Sequence, residues 1–289
     1  MNYEKDFVAI ILTNGRPQNV KTIPTLRKSG YTGRIVLAVD DKDETLPEYI
    51  EQFGEMVHVF SKDDIGRRFD KGDNFGSQKL IIYARNASFD IAEKIGCRYF
   101  IQLDDDYTAF QWRFDREKYL TATPRIKSLD AALKAMLKFY ISIPACASLA
   151  MTQGGDFIGG KYSTLAQKKI LKRKAMNSFI CSTDRRFFFI GQTNEDVNTY
   201  TLLGSRGALF FSSNQISLAQ LATQSNEGGI TEFYAKYGTY VKSFQTVIYQ
   251  PSSVKVSTMG NTKASSRIHH KVRWKFTTPQ IISETHKKK

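Results

Sequence analysis

Four short apolar runs divide the first third of the chain, and polar or charged residues follow each of them. The runs are residues 7–12, 34–39, 56–60 and 99–106. They are nearly continuous rather than alternating, which is typical of strands buried on both faces of a parallel sheet. Helical spacing separates them, at residues 18–29 (interrupted by Pro24), 47–53 and 77–95. The pattern predicts β-α-β-α-β-α-β and a doubly wound parallel sheet.

The remaining segments are less regular. The polar, glycine-containing residues 61–76 predict a loop. Further on, the pattern predicts helices at 127–140, 197–203 and 231–237, strands at 145–150, 208–211, 241–250 and 254–257, and a hairpin from 179–181 and 187–190. Glycine pairs at 154–160 and polar residues at 213–230 indicate loops. We find no internal repeat and no linker rich in proline and glycine, so one domain is expected.

Composition narrows the functional classes. The 289 residues are 41% hydrophobic, which is enough for a sizeable core. The net charge of +14 favours a polyanionic partner, either nucleic acid or an anionic membrane surface, although nucleotide phosphates alone would also suit it. No run of 18 apolar residues predicts a membrane span. The N-terminal apolar run indicates a first strand rather than a signal peptide.

The cysteines give no sign of a metal site or a disulfide framework. There are three, Cys97, Cys146 and Cys181, widely spaced and odd in number. Buried, inert thiols in a reducing cytoplasm are the simplest expectation.

The fourth apolar run ends in three consecutive carboxylates, Asp104, Asp105 and Asp106, which we call the acid triplet. Like charges this close raise each other's pKa values, and a divalent cation removes that cost. Carboxylate oxygens suit Mg²⁺ or Mn²⁺ rather than a soft metal. Alternate residues of a strand share a face, so Asp104 and Asp106 should point one way and Asp105 toward a sugar or a neighbouring loop. An acidic turn is the plain alternative.

Polar residues near the other strand ends could complete a ligand site, because open α/β sheets bind ligands at that edge. They are Thr13, Asn14 and Arg16 after the first strand, and Asp40 at the end of the second. Arg85 and Asn86 lie in mid-helix, where asparagine is a poor helix former, and could reach a nucleotide and the acid triplet. Solvated loops, a turn and an exposed helix face are the alternatives.

Two common nucleotide-binding motifs are missing from the sequence. No Gly-x-Gly-x-x-Gly follows the first strand, and no Gly-Lys-Ser/Thr loop occurs. Dinucleotide and P-loop chemistries are therefore disfavoured. A nucleotide held through a metal on acidic strand ends fits the pattern better.

A second acidic feature, Glu195-Asp196, begins a predicted helix, and we call it the carboxylate pair. Acids are favoured at helix N-termini, so a purely structural role is one interpretation. The other is that one carboxylate takes the proton from an acceptor hydroxyl. We favour Asp196 for this role, with Glu195 second.

Basic and aromatic residues suggest how nucleic acid could be held. Residues 161–175 contain no acid and are expected to contact phosphates without sequence choice. The candidates are Lys168, Lys169, Lys172, Arg173 and Lys174. Trp112 follows the acid triplet and could stack on a sugar or a base, although core packing would explain it as well. A solvated charged face is the alternative for the basic segment.

The order of these motifs resembles the GT-A class of nucleotide-sugar glycosyltransferases. That class has a polar loop after the first strand, a strand-ending Asp, a helix with Ala-Arg-Asn (here Ala84-Arg85-Asn86) and a strand leading into Asp-x-Asp. The resemblance covers roughly residues 7–110 and reaches the carboxylate pair more weakly. Leu103–Phe114 and Gly191–Phe211 resemble the small phage glycosyltransferases associated with TET-type oxygenases, thought to modify 5-hydroxymethylpyrimidines in DNA.

The resemblance implies a GT-A-like α/β fold with a Rossmann-related, mostly parallel central sheet flanked by helices and with C-terminal acceptor-binding elements. A single catalytic domain over residues 1–289 is expected. Within it, residues 1–110 would bind the nucleotide sugar, residues 111–262 the acceptor, and residues 263–289 would form a basic C-terminal segment.

The resemblance also implies roles for single residues. Asp40 would contact a uridine-type nucleotide, Asp104 the ribose or sugar, and Asp106 the metal, Mn²⁺ or Mg²⁺. In inverting members of the class an Asp at a point similar to Asp196 is the general base.

Further roles fall on the C-terminal segment. In several GT-A enzymes a C-terminal histidine adds a metal ligand, which His269 or His270 could supply here. Lys271 and Arg273 would then lie near the diphosphate. Histidines that merely belong to a basic tail are the alternative.

The expected function is metal-dependent transfer of a sugar from a UDP-sugar to a 5-hydroxymethylpyrimidine in DNA, with inversion, in the cytoplasm of a phage-infected bacterium. The acceptor base would have to leave the duplex stack or be single-stranded. One alternative is a glycosyltransferase acting on a glycan or lipid-linked acceptor. Another is a non-catalytic DNA-binding accessory protein, which the intact acid triplet and carboxylate pair disfavour.

Overall fold

The computed structural model describes residues 2–72, 80–113, 124–153, 177–220, 238, 240–259 and 267–277. Its strands are β1 (Phe7–Leu12), β2 (Arg34–Asp40), β3 (Val57–Phe60), β4 (Tyr99–Asp104), β5 (Tyr107–Trp112), β6 (Cys146–Gln153), β7 (Phe179–Ser182), β8 (Leu209–Gln220), β9 (Val254–Met259) and β10 (Arg267–Val272). Its α-helices are α1 (Tyr3–Asp6), α2 (Thr22–Lys28), α3 (Leu46–Phe53), α4 (Lys62–Gly66), α5 (Ile82–Lys94), α6 (Leu129–Ser142), α7 (Glu195–Ser205) and α8 (Val241–Tyr249).

Eight strands form one sheet in the order β3-β2-β1-β4-β7-β6-β8-β5, and β9 and β10 form a separate antiparallel hairpin. The first four strands pair in parallel, with β1 between β2 and β4. The β6–β8 pairing is also parallel, so most strand pairings in the sheet are. The predicted mostly parallel α/β sheet is confirmed, and the four N-terminal strands lie where the apolar runs predicted them.

The sheet is covered on both faces, as its apolar runs require. Every residue of β1 is buried, and alternate residues enter different layers. Phe7, Ala9 and Ile11 join one core cluster, which includes α6, whereas Val8 and Ile10 join the other, which includes α5. Burial on both faces is why the run is continuous rather than alternating.

The predicted hairpin at 179–190 is wrong. Strand β7 lies between β4 and β6 and runs antiparallel to both, so its partners are distant in sequence. No strand forms at residues 187–190. Phe187 instead packs its ring against Phe89 and Phe189, with centroids 5.3 and 5.1 Å apart. Aromatic residues have high strand propensity, but here burial against α5 decides their conformation.

Three other element predictions are corrected. The segment predicted as a strand at 241–250 forms the helix α8, and its buried residues do not alternate as those of a strand would. Strand β8 continues to Gln220 through part of the predicted polar loop. The predicted loop at 61–76 contains the short helix α4, which Ser61 caps by accepting a hydrogen bond from the Asp64 backbone N–H at 3.4 Å.

Helix α2 is also more regular than predicted. It begins at Thr22 after a short 3-10 turn (Pro17–Asn19), and Pro24 stands in its first turn. A proline in the first turn removes no intrahelical hydrogen bond, so it does not interrupt the helix.

All three cysteines are free and buried, as expected. Burial raises the pKa of the Cys146 and Cys181 thiols to about 12, so neither is a reactive thiolate near neutral pH. In the described part of the chain, no helix is both long and apolar enough to cross a membrane. The predictions for residues 77–79, 154–160, 161–175 and 231–237 lie outside the described residues.

Candidate active site

The acid triplet lies at the carboxyl edge of the parallel strands. Leu12 of β1 is the register partner of Asp104 in β4, and Asp40 ends the neighbouring strand β2. The start of α2 fixes the backbone of the triplet, because Thr22 Oγ1 donates to the Asp104 carbonyl at 2.6 Å and accepts from the Tyr107 N–H at 3.0 Å. Parallel pairing therefore gathers the polar residues predicted at strand ends.

Asp105 turns toward the loop after β1, one of the two directions predicted for it, but strand alternation is not the reason: β4 ends at Asp104, and Asp105 and Asp106 form a turn. Thr13 Oγ1 donates to its Oδ2 at 2.7 Å, and Arg16 Nη2 lies 3.1 Å from its Oδ1. The Tyr49 hydroxyl, from α3, lies 2.6 Å from Thr13 Oγ1 and accepts from the Arg16 backbone N–H at 2.9 Å. Asp105 is only 2% exposed. It therefore fastens the β1 loop to the acid triplet.

Asp40 is the centre of a second buried group. Its Oδ2 accepts from Asn14 Nδ2 at 2.7 Å and lies 3.1 Å from Lys62 Nζ, and its Oδ1 accepts from the Lys42 backbone N–H at 3.0 Å. Lys62 is 4% exposed, and its ammonium lies 5.5 Å from the centroid of the Tyr83 ring. Of the predicted nucleotide contacts, Asn14 and Asp40 are thus brought together, and the chain itself neutralises Asp40.

Arg85 joins the acid triplet to the carboxylate pair. Its Nη2 lies 3.4 Å from Asp104 Oδ1, and its Nε donates to Glu195 Oε1 at 2.9 Å. The guanidinium is 1% exposed and lies 5.1 and 5.7 Å from the ring centroids of Phe179 and Phe189. Such a buried cation needs both carboxylates, since an unpaired buried charge is strongly destabilising. The mid-helix arginine reaches the acidic strand end, as predicted.

Burial and mutual repulsion disfavour full ionisation of the triplet. Burial raises the pKa of Asp104 to about 7, against the opposing charge of Arg85, with Asp106, Asp105 and Glu195 raising it further. Burial raises the pKa of Asp105 to about 6, opposed by Arg16 and Thr13. Burial also raises the pKa of Asp106. The triplet would therefore gain from a cation beyond those that the chain supplies.

Asn86 has a structural role that the sequence did not predict. Its Nδ2 donates to the Phe189 carbonyl at 3.0 Å, and its Oδ1 accepts from the Phe189 N–H at 2.8 Å. Asn86 is 1% exposed, which leaves the predicted approach to a nucleotide without a basis. The side-chain amide of Asn86 thus bonds to the backbone of Phe189 in the way that a neighbouring strand would. This pairing explains why an asparagine stands in the middle of a helix.

The carboxylate pair opens α7 immediately after a backbone of unusual conformation. Asn194 has φ +53° and ψ +36°, the left-handed region that non-glycine residues rarely adopt. Its Nδ2 donates to the Lys242 carbonyl at 3.0 Å and to Thr246 Oγ1 at 3.1 Å, and lies 3.1 Å from His270 Nδ1. Helix α8 and strand β10 thus hold the start of α7.

The two carboxylates of the pair differ. Glu195 is 7% exposed and committed to Arg85. Burial raises the pKa of Glu195, and the charge of Arg85 opposes that rise. Asp196 is 8% exposed, and its Oδ1 accepts from the Val197 N–H at 2.8 Å. The charges of Asp104, Glu195 and Asp196 all act on Arg85, so the pair and the triplet form one electrostatic group.

The predicted metal ligands do not assemble as a set. Among the described residues, no group of three or more His, Cys, Asp or Glu side chains could hold a metal ion. His269 and His270 lie on the hairpin with ring centroids 4.2 Å apart, and His270 contacts Asn194. Asp106 nevertheless suits a hard cation, since its carboxylate lies half-buried beside two others with raised pKa values. Mg²⁺ commonly uses one or two carboxylates and completes its shell with phosphate and water.

Trp112 does not lie with the acid triplet. It stands five residues beyond Tyr107 on the edge strand β5, about 17 Å along a strand. There it lines a pocket of about 480 Å³ with α6 and β8 side chains, among them Met136, Phe139 and Phe211. Its predicted contact with a base beside the triplet therefore has no support from its position. Lys271 and Arg273, predicted near the diphosphate, are exposed on or after β10. The predicted phosphate contacts Lys168, Lys169, Lys172, Arg173 and Lys174 lie outside the described residues.

Several residues of the site gave no motif in the sequence. They are Thr22, Tyr49, Lys62 and Gln102. Gln102 is fully buried within β4, and its Nε2 donates to the Arg85 carbonyl at 2.9 Å. A glutamine inside an apolar run was the available signal, since buried amides need partners. For Lys62 no local pattern distinguishes it from a surface lysine.

A family model described as TET-Associated Glycosyltransferase matches residues 7–229. The chain belongs to this family and is a glycosyltransferase. The match includes the acid triplet, Arg85 and the carboxylate pair, and so covers the whole group that the fold brings together. No curated protein matches the chain.

Solved structures give only distant likenesses. Glucosyl-3-phosphoglycerate synthase from Mycobacterium tuberculosis, in complex with Mg²⁺ and uridine diphosphate, is 9% identical at a TM-score of 0.42, covering 93% of this chain and 88% of that one. TarS from S. aureus is 11% identical at a TM-score of 0.42, covering 83% of this chain and 39% of that one. A cytidylyltransferase from Leptospira borgpetersenii is 12% identical at a TM-score of 0.37, covering 82% of this chain and 85% of that one. Likenesses this distant carry no argument about the site.

Proposed function

We propose that the chain transfers a sugar from a UDP-type nucleotide sugar to the hydroxymethyl group of a modified pyrimidine in DNA. One observation carries the proposal. Arg85 joins the acid triplet to the carboxylate pair at one sheet edge, in a member of the TET-associated glycosyltransferases. The net charge of +14 supports a polyanionic acceptor. The setting that fits is hypermodification of phage DNA in the cytoplasm of the infected cell.

The donor would lie along the edge formed by the β1 loop, Asp40 and the acid triplet. This edge lies at the carboxyl ends of β1, β2 and β4, and open α/β sheets bind ligands there. Asp106, with Asp104 second, would hold Mn²⁺ or Mg²⁺, which when bound offsets the charge on the departing nucleoside diphosphate. Thr13, through Asp105, keeps the loop after β1 in place beside the donor.

The acceptor hydroxyl would lose its proton to Asp196. Glu195 is committed to the buried guanidinium of Arg85, which makes it a positioning residue and leaves Asp196 as the base. Direct displacement by the activated hydroxyl then inverts the anomeric carbon. The carbon–oxygen bond to the diphosphate breaks with its electron pair on the diphosphate oxygen.

Product analysis tests the acceptor and the donor together. The protein, Mn²⁺ and a mixture of UDP-sugars are incubated with hydroxymethylated DNA, and the nucleosides are then weighed by mass spectrometry. We expect the mass of one hydroxymethylpyrimidine to rise by that of one sugar residue. No mass increase on any base would contradict the proposed acceptor, and sugar transfer to a glycan or lipid-linked acceptor instead would replace it.

Substitution of the carboxylate pair tests the assignment of the base. Asp196→Asn should lower kcat by about 10²–10⁴-fold with the KM for the donor unchanged, the usual contribution of a general base. Glu195→Gln is the matched control, and it should lose less activity because Arg85 Nε can still donate a hydrogen bond to the amide oxygen of the glutamine. Full turnover by Asp196→Asn, with loss in Glu195→Gln, would reverse the two roles.

A further inference from the structure

Helix α8 has inverted polarity for a helix at a protein surface. Its buried residues are polar, namely Ser243, Gln245 and Thr246. Its exposed large side chains, with the residue just before it, are apolar: Tyr240, Phe244 and Ile248, exposed by 50, 46 and 67%. Residues four apart lie on one helix face, so these three form a stripe, which we call the outer stripe. A surface helix ordinarily buries such a stripe.

The buried polar face has a clear purpose. Gln245 Oε1 accepts from both the backbone N–H and the hydroxyl of Thr193, at 3.0 and 2.7 Å. The Lys242 carbonyl and Thr246 Oγ1 accept from Asn194 Nδ2. Thr193 and Asn194 directly precede the carboxylate pair. The outer stripe is therefore about one helix diameter, roughly 10 Å, from the start of α7.

The hairpin that packs against α8 carries exposed basic residues. Lys255 of β9 and Lys271 of β10 are direct register partners, and both are exposed. Like charges directly opposite each other on paired strands are destabilising. Arg273, exposed just after β10, adds a third positive charge. A polyanion would relieve this repulsion.

The chemistry of the two features points to one kind of ligand. Single-stranded nucleic acid is bound by exposed aromatic rings that stack on bases, beside cations that follow the backbone. Tyr240 and Phe244 supply the rings, with centroids 6.1 Å apart at 89°, and the hairpin supplies the cations. An interfacial membrane helix would carry several basic residues of its own, whereas α8 carries one, Lys242.

We propose that the outer stripe of α8, with Lys255 and Lys271, binds unstacked nucleotides of the acceptor strand next to the base that receives the sugar. The inference rests on the proposed function for the identity of the acceptor. It assigns acceptor binding to α8 and the β9–β10 hairpin, rather than to Trp112 at the far end of β5.

Binding to a fluorescein-labelled single-stranded 20-mer, without donor, tests the stripe. Phe244→Ala should weaken binding about tenfold, within the range of one lost base stack. The matched control is Phe139→Ala on α6, which removes an aromatic ring exposed to nearly the same extent, 47%. Equal affinities for wild type and Phe244→Ala would overturn the proposal, as would an equal loss in Phe139→Ala.

The salt dependence of the same binding tests the lysines. Lys255→Gln and Lys271→Gln should each reduce the slope of log affinity against log salt by about 0.7, since each removes one phosphate contact with a single strand. Unchanged slopes would exclude the hairpin. Vesicles containing phosphatidylserine provide the competing readout. If Phe244→Ala abolished vesicle binding and left oligonucleotide affinity intact, the stripe would be a membrane contact and the proposal would fall.

Donor hydrolysis without an acceptor separates this inference from the proposed function. Phe244→Ala should hydrolyse UDP-sugar at the wild-type rate while its KM for hydroxymethylated DNA rises about tenfold. Transfer with an unchanged DNA KM would overturn only the role of α8. Oligonucleotide binding that depends on Phe244, without sugar transfer to any base, would overturn only the proposed reaction.

Discussion

At the carboxyl edge of the sheet three carboxylates meet opposite charges from the chain itself, whereas exposed apolar side chains of α8 and exposed lysines of the β9–β10 hairpin face outward. Asp40 has Lys62, Asp105 has Arg16, and Asp104 has Arg85. The outer stripe exposes apolar side chains to solvent, and Lys255 and Lys271 place two like charges opposite each other. Both features would be stabilised by contact with another molecule. The difference separates the proposed donor side, which the fold organises in advance, from the proposed acceptor side, which a polyanion would complete.

Preorganisation of the proposed donor side is what binding of a nucleotide sugar would require. A small, highly charged ligand gains most from groups already held in place, because no reorganisation is needed when it binds. A flexible single strand of nucleic acid is bound by base stacking and by phosphate contacts on an open surface. The hydrogen bonds that Thr193 and Asn194 donate to α8 connect the two sides at the carboxylate pair.

The largest expected effect comes from removing the cation at the centre of the donor side. Arg85→Met leaves the carboxylates of Asp104 and Glu195 buried without their partner, and should lower the free energy of unfolding by about 3–5 kcal/mol. Urea denaturation measures it. Arg98→Met is the control, since Arg98 pairs with Asp184 at the surface and such pairs contribute at most about 1 kcal/mol. Equal losses would remove the contrast between the buried and exposed ion pairs.

A smaller effect is expected at Asn86. Asn86→Ala leaves the buried N–H and carbonyl of Phe189 without partners, and should lower the free energy of unfolding by about 2 kcal/mol. The KM for the donor should stay at its wild-type value, because the amide does not face the donor edge. Ser88→Ala on the same helix, where the hydroxyl bonds only the Ala84 carbonyl, should change stability less. A large rise in donor KM in Asn86→Ala would restore the nucleotide-binding role.

A third expected effect is the pH dependence of stability without added metal. The pKa of Asp104 is raised to about 7 and that of Asp105 to about 6, above roughly 3.9 for an unfolded aspartate. The folded state therefore binds more protons in this interval, so the contribution of these groups to stability falls as pH rises from about 4 to 7. Urea denaturation at several pH values measures the slope. Asp104→Asn should make it flatter, and an unchanged slope would contradict the raised pKa of Asp104.

Local pattern was sufficient for the four N-terminal strands of the sheet. Continuous apolar runs and helical spacing placed β1, β2, β3, β4 and their helices, because strands buried on both faces leave that signature. Local pattern failed where contacts with neighbouring elements override the strand propensity of a segment. Segment 241–249 is rich in strand formers, yet forms a helix because its polar residues bind the start of α7. Aromatic residues at 187–190 pack against α5 instead of forming a strand.

The sequence by itself determined the acid triplet, the polar residues at the strand ends and the carboxylate pair, because each is a local arrangement of charge beside an apolar run. Only the tertiary structure decided their partners. Arg85 and Glu195 are 110 residues apart, and Asp105 and Thr13 are 92 apart. Contacts over such distances depend on which strands pair in parallel, and no local pattern specifies that. The tertiary structure also decided the outer stripe of α8. In the sequence its apolar residues resemble core residues, but the fold buries the polar face of the helix instead.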